Sequence, residues 1–216
     1  MQVNPETMDW IDSFTKKGQL KKIPNSLGGY SIKIFDKPEF LDIEIQKRAK
    51  ESDSALSRVV ATYDWEYSSN HKPEDRLMKY WEVLIGKWHK PWNRELESEL
   101  SRKEKRNIAG HAWAEQPQTI NEVGSAFTIQ GFDLNYAGVI LGPSVKYRDG
   151  KIIFDPTASH NDKAVRNRTL SDGTKQKFGE MLIQHEVRVL MTRGVNGMYI
   201  YACDPELQKA LLEAAK

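Results

Sequence analysis

Asp64 and Glu66 directly follow the apolar run Arg58-Val59-Val60-Ala61-Thr62-Tyr63. Carboxylates at the end of such a run can hold a metal and its phosphate, and the same residues also serve as an ordinary polar strand end. A second group, Ser125, Phe127, Thr128, Gln130, Gly131 and Asp133, sets hydroxyls, a ring, an amide and a carboxylate around one turn. Free backbone N–H groups at a strand-to-helix turn receive anions, and Gln130 can bond a phosphate or a water; a plain helix cap uses the same residue types. The third group is Leu190-Met191-Thr192-Arg193-Gly194, a guanidinium at the end of an apolar helix just before a glycine turn. There Arg193 either bonds the last carbonyls of the helix or presents a planar cation to a phosphate.

A further set mixes cations with indoles. Lys87, His89, Lys90, Arg94 and the cluster Arg102 to Arg106 lie among Trp81, Trp88, Trp92 and Trp113. Such a mixture suits phosphate contacts with base stacking, or equally tryptophans packed on a core with solvated charges outside. His71, His111, His160 and His185 show no ligand spacing, so no metal is expected on this chain.

These groups need elements to position them. Asn4, Pro5 and apolar Met8, Ile11 and Phe14 before Gly18 give a short first helix. Ser31 to Phe35 is strand-like, and Asp36 with Glu39 makes a capping box for a helix whose Leu41, Ile45 and Ala49 share a face. Arg58 to Tyr63 and Val123 to Ile129 read as strands, and Ala137 to Leu141 as a strand buried on both faces. Residues 76–118 interrupt the alternation; their acid-first, base-last stretch from Asn93 to Arg106 predicts an exposed inserted helix. Residues 143–178 read as a long basic loop, functional or mobile, since Gly142 to Gly179 holds eight Lys/Arg against four Asp. A helix from Glu180 to Thr192, a strand from Met198 to Cys203 and a helix capped by Asp204 with Pro205 follow. Strands separated by helices imply a mostly parallel α/β sheet with helices on both faces.

The 216 residues suit one domain, 1–216. Thirty-two Lys+Arg against thirty Asp+Glu leave a net charge of +2, so no bulk field draws the chain to nucleic acid or membrane. The single cysteine, Cys203, excludes a disulfide framework and fits a reducing, cytoplasmic setting. No apolar run approaches the ~20 residues of a membrane span, and Met1 to Pro5 opens no signal segment. The phosphate-loop pattern GxxxxGK[ST] is absent, because Gly86-Lys87 and Gly150-Lys151 run into Trp88 and Ile152.

Asn121 to Gly124, Gln130-Gly131-Phe132-Asp133-Leu134-Asn135-Tyr136 and Val139 to Pro143 together resemble motif V of superfamily 1 helicases. Leu190 to Gly194 followed by Gly197 to Tyr201 resembles motif VI. With Trp10-Ile11-Asp12, Ile34-Phe35-Asp36 and Ser57 to Glu66, the chain is similar to the C-terminal halves of the Schlafen group 3-like DNA/RNA helicase domain family, known as bacterial proteins. Where that family often has histidine this chain has Phe127, a ring that suits base stacking, and where the wider superfamily often has glutamate it has Asp133.

The resemblance implies a three-layer, RecA-like fold of P-loop NTPase type, the second half of an ATP-dependent helicase or translocase. The missing N-terminal half of the same polypeptide would bind ATP and Mg²⁺, and this chain alone would be inactive. Carried over, Arg193 is the catalytic arginine finger, and Gln130, Gly131, Asp133, Thr192 and Gly194 couple to the nucleotide. Ser125, Phe127, Thr128, Lys87, Lys90, Trp88 and Trp92 would face single-stranded DNA or RNA. The competing expectations are a nucleic-acid-binding module without ATPase activity, and a small α/β hydrolase using Asp64 or Glu66 with a histidine.

Overall fold

The computed structural model describes residues 5–24, 29–51, 56–75, 78–162, 168–169 and 175–216, with the backbone alone for 168–169 and 175–176. Five strands, β1 (Ser31–Ile34), β2 (Ser57–Ala61), β5 (Val123–Gly124), β6 (Leu134–Leu141) and β11 (Gly194–Ala202), form the central sheet. All are parallel, in the order β1-β11-β6-β2-β5. Helices α1 (Pro5–Lys17), α4 (Gly179–Met191) and α5 (Pro205–Ala214) cover one face, and α2 (Pro38–Lys50) covers the other. Side-chain alternation divides the strands between the two faces. Ala137, Val139, Leu141, Met198 and Ile200 pack with Phe14, Ile183, Val187 and Leu211, whereas Ile140 and Tyr199 pack with Leu41, Ile45 and Trp92. Burial on both sides is why β6 reads as an unbroken apolar run. Gly138 marks the closest approach of α2: a Cβ there would stand 2.7 Å from Ile45 and 2.8 Å from Leu41.

The α/β sheet with helices on both faces is therefore the architecture the alternation predicts. Helix α5 begins as expected, with Asp204 accepting the Leu207 N–H at 2.9 Å and Pro205 in the first turn. Helix α2 does not begin on an Asp36–Glu39 box: Lys37 precedes it without a side-chain cap, and Pro38 presets the first helical φ. Asn4 lies outside the described residues. The strand expected from Val123 stops at Gly124, because Thr128 Oγ1 accepts the Ser125 N–H at 2.8 Å and donates to the Ser125 carbonyl at 2.9 Å, curling the chain. No helix among the described residues is long and apolar enough to cross a membrane.

The insertion is more than a helix. It opens with an antiparallel hairpin, β3 (Glu82–Ile85) and β4 (Trp88–Pro91), turning at Gly86. The charged stretch then splits into a 3-10 segment, Glu95–Glu99, and a short exposed helix, α3 (Arg102–Asn107). Ser101 causes the break: its hydroxyl accepts the Glu104 N–H while Glu104 accepts the Ser101 N–H at 2.8 Å, a box that starts a new helix. The long basic loop is also partly built. β7 (Val145–Arg148) and β8 (Lys151–Phe154) pair across Asp149-Gly150, both left-handed, as a tight hairpin demands. Arg148 grips Asp204 at 2.9 and 2.7 Å, tying this hairpin to the start of α5. β9 (Arg168–Thr169) pairs with β10 (Lys175–Gln176), while Lys163 and Arg166 lie outside the described residues.

Candidate functional site

At the carboxyl edge of the sheet, β2 runs through Thr62 and Tyr63 to Asp64, beneath the arch Gly142-Pro143-Ser144 that follows β6. Asp64 Oδ2 accepts the Thr62 hydroxyl at 2.9 Å and the Ser144 N–H at 2.8 Å; Thr62 Oγ1 accepts the Gly142 N–H at 2.8 Å. A Cβ on Gly142 would run into Asp64 Oδ2, so only glycine lets the arch close. Asp64 is buried, and its Oδ1 has no hydrogen-bond partner among the described residues. Glu186 reaches in from α4, Oε1 accepting the Tyr63 N–H at 2.9 Å. Burial, reinforced by the Asp64 charge, pushes the Glu186 carboxyl up to about 8. Burial also raises Asp64, but its donors from Ser144 and Thr62 favour the ionised form. Burial and the neighbouring charge thus favour the protonated form of Glu186. Burial beside Asp64 lifts the Cys203 thiol to about 12, which keeps it un-ionised. Glu66, by contrast, is exposed.

Residues 125–133 carry the chain from β5, across β2, to β6. Ser125 is fully buried, its hydroxyl donating to Asn93 Oδ1 at 2.7 Å. Of the two hydroxyls expected to face nucleic acid, Ser125 is thus engaged with Asn93 and Thr128 within the turn itself. Phe127 stands out, 54% exposed, its ring edge-on to Tyr63 at 5.4 Å. Gly131 adopts φ 76°, the left-handed turn conformation that glycine enters freely. Exposed Gln130 joins Phe127, Leu182, Val189 and Glu186 around an open cavity of about 370 Å³.

Arg193 lies at the other edge. It immediately precedes β11 as Asp133 precedes β6, so the two stand at the amino ends of neighbouring strands. Arg193 Nε donates to the Val189 carbonyl at 3.2 Å, and Nη1 lies 3.6 Å from Asp133 Oδ1. The helix-capping role weighed for this arginine is therefore one it performs. Its side chain keeps 22% exposure, and Nη2 bonds nothing among the described residues. Thr192 Oγ1 turns back onto the Arg188 carbonyl at 2.9 Å. Gly194 has no room for a Cβ against the Gly197 carbonyl, where the start of β11 bulges. Val189 lines the cavity that Gln130 borders, and its backbone carbonyl accepts from Arg193. The carboxyl-edge rule thus locates Asp64, but not the arginine.

The cation–indole group is largely interior. Trp88 and Trp92 are 7% and 0% exposed, so neither can stack on a base; they pack the hairpin against α2 and the sheet. Lys90 is buried with them, its Nζ 2.6 Å from Asp42 Oδ1 and 2.9 Å from the Ile120 carbonyl. Lys87, at the hairpin tip, and Arg94, Arg102, Lys103, Lys105 and Arg106 remain exposed and able to meet phosphate. A residue the sequence reading passed over is Glu186. Its signal was its phase: Ile183, Val187 and Leu190 form the buried stripe of α4, and Glu186 lies on it.

Comparison with known proteins adds an independent finding. The family model for the Schlafen group 3, DNA/RNA helicase domain matches residues 1–204. The chain is 33% identical to the uncharacterized protein YPL245W of Saccharomyces cerevisiae across 97% of its own length. It spans 45% of that relative's length. No solved structure matches significantly. With its parallel α/β sheet and a model covering nearly the whole chain, the protein belongs to the Schlafen group 3, DNA/RNA helicase domain family.

Proposed function

We propose that this chain is one RecA-like half of an ATP-driven superfamily 1 helicase or translocase, acting on single-stranded DNA or RNA. The observation that carries the reading is Arg193: a partly exposed guanidinium held by one long ion pair and one carbonyl, inside a helicase-domain family match. A companion half would bind ATP with Mg²⁺, and the relative's greater length leaves room for one. Arg193 would exchange Asp133 for the γ-phosphate, meeting charge that develops on the transferring group; Gln130, Gly131 and Asp133 would report nucleotide state to the strand. Arginine fingers contribute ~10³ to 10⁵ in rate. Phe127 would supply stacking, and exposed Lys87 and Arg94 with the α3 cations would supply phosphate contacts.

In the full-length protein, Arg193→Ala is expected to lower nucleic-acid-stimulated ATP hydrolysis at least about 10³-fold while the melting temperature stays close to wild type. Turnover near the wild-type value would refute the assignment.

A further inference from the structure

Helices α1 and α4 pack side by side, and a groove of about 510 Å³ opens between them. Thr15 and Lys16 line it from α1, and Gln184, His185, Arg188 and Val189 from α4; none of the six is acidic. Asp12 orients the two strong cations, Oδ1 accepting from Arg188 Nε at 2.9 Å and Oδ2 from Lys16 Nζ at 2.7 Å. A guanidinium held through Nε keeps its Nη pair for a ligand, and both Nη groups of Arg188 bond nothing among the described residues. The side chains of Gln184 and His185 are equally unengaged there.

Beyond Lys16 the chain continues through Lys17, Lys21 and Lys22, all exposed, with no acidic residue among them. Their backbone is fixed. The Gln19 N–H donates to the Ser13 carbonyl at 2.9 Å, the Trp10 indole to the Lys21 carbonyl at 3.0 Å, and the Ile152 N–H to the Gly18 carbonyl at 2.8 Å. Trp10 and Phe14, the aromatic residues of α1, are buried, so these cations come without a stacking platform. Cations alone suit a duplex, which turns its bases inward and presents phosphate; a single strand would leave its bases bare. The groove also lies on the α1 face of the sheet, whereas Lys87 is carried by the hairpin that packs with α2 on the other face.

We propose that the α1–α4 groove is a second nucleic-acid contact, one that grips the backbone of a duplex. Arg188 takes one phosphate with its Nη pair, Lys16, His185 and Gln184 complete the shell around it, and Lys17, Lys21 and Lys22 meet neighbouring phosphates. Asp12 is a positioning residue for the fork. The proposal rests on the nucleic-acid reading above, which selects this polyanion over others.

The test is fluorescence anisotropy of a labelled blunt duplex of about 20 base pairs and of labelled oligo-dT, titrated with the full chain across a salt series. The double variant Lys21→Gln, Lys22→Gln is expected to lower the duplex's log–log salt slope by about 2, and Arg188→Gln by about 1. Near ~0.1 M salt that is roughly eightfold weaker binding for each phosphate lost. Oligo-dT binding by the double variant stays close to wild type. Arg188→Gln also gives up a bond to Asp12, so the exposed lysines, whose side chains bond nothing among the described residues, decide the matter if that variant unfolds. Duplex binding and slope unchanged in the lysine variant, with oligo-dT still bound, refute the duplex contact and leave the motor reading standing; no binding of either nucleic acid removes both. Arg188-dependent binding of inorganic phosphate with the duplex indifferent to every substitution assigns the groove to a free ion and overturns the proposal. The same pattern with phosphatidylserine vesicles assigns it to a lipid surface and overturns it too.

Discussion

Replacing Glu186 by glutamine keeps an acceptor for the Tyr63 N–H and removes an ionisation. In the unfolded chain this carboxyl releases its proton near 4.5, whereas the folded protein holds it to about 8. Between those values the folded state binds more protons, so this group's contribution to stability falls as pH rises, by up to ~1.4 kcal/mol per pH unit. Across the whole window the loss is on the order of 4 kcal/mol, since the side chain is almost fully enclosed and solvent screens little of it. Glutamine suffers none of it. Wild type and Glu186→Gln should therefore melt alike near pH ~5 and diverge steadily, the variant melting roughly 10 °C higher near pH ~9. Buried Trp92 and Trp113 give a fluorescence signal for unfolding. Parallel pH profiles for the two proteins, or a variant less stable than wild type at the alkaline end, would show that Glu186 is not a neutral carboxyl beside Asp64.

Two other substitutions test the packing that positions the site. Gly138→Ala should destabilise by about 1–3 kcal/mol in urea unfolding, because Ile45 and Leu41 of α2 lie where the methyl must go; a change within error would mean α2 shifts freely. Lys90→Ala leaves Asp42 without its cation in an enclosed pair, with Trp88 and Gln46 as its remaining donors among the described residues, and should cost about 3 kcal/mol. In that variant restored stability from a second change, Asp42→Asn, is the expected signature of an uncompensated charge.

Local periodicity made much of the fold legible. The stripes of α1, α2 and α5, the apolar run of β6 and the Asp204-Pro205 helix start are short-range signals, complete within a dozen residues. The β3–β4 hairpin was not legible, since its strands are only four residues each and carry Glu82, His89 and Lys90. What makes it a hairpin is distant: Trp88 and Lys90 both reach Asp42 on α2. The same contacts withdraw Trp88 and Lys90 from the surface that the residue types alone suggest, and apolar packing withdraws Trp92. Ser125 and Thr128 left the candidate site for a similar reason, each finding a polar partner nearby.

By itself the sequence determined the parallel three-layer core, the place of Arg193 between an apolar helix and a strand, and the family resemblance, all of which depend on order and spacing along the chain. Contacts between elements far apart in the chain determine which polar groups are free to act. Asp64 is enclosed beneath Gly142, Glu186 bonds the Tyr63 N–H beside it, and Arg193 caps its helix through the Val189 carbonyl. The physical reason is that burial and charge proximity arise between elements remote in sequence, and it is these, not residue type, that fix whether a side chain is a ligand, a proton carrier or part of the core.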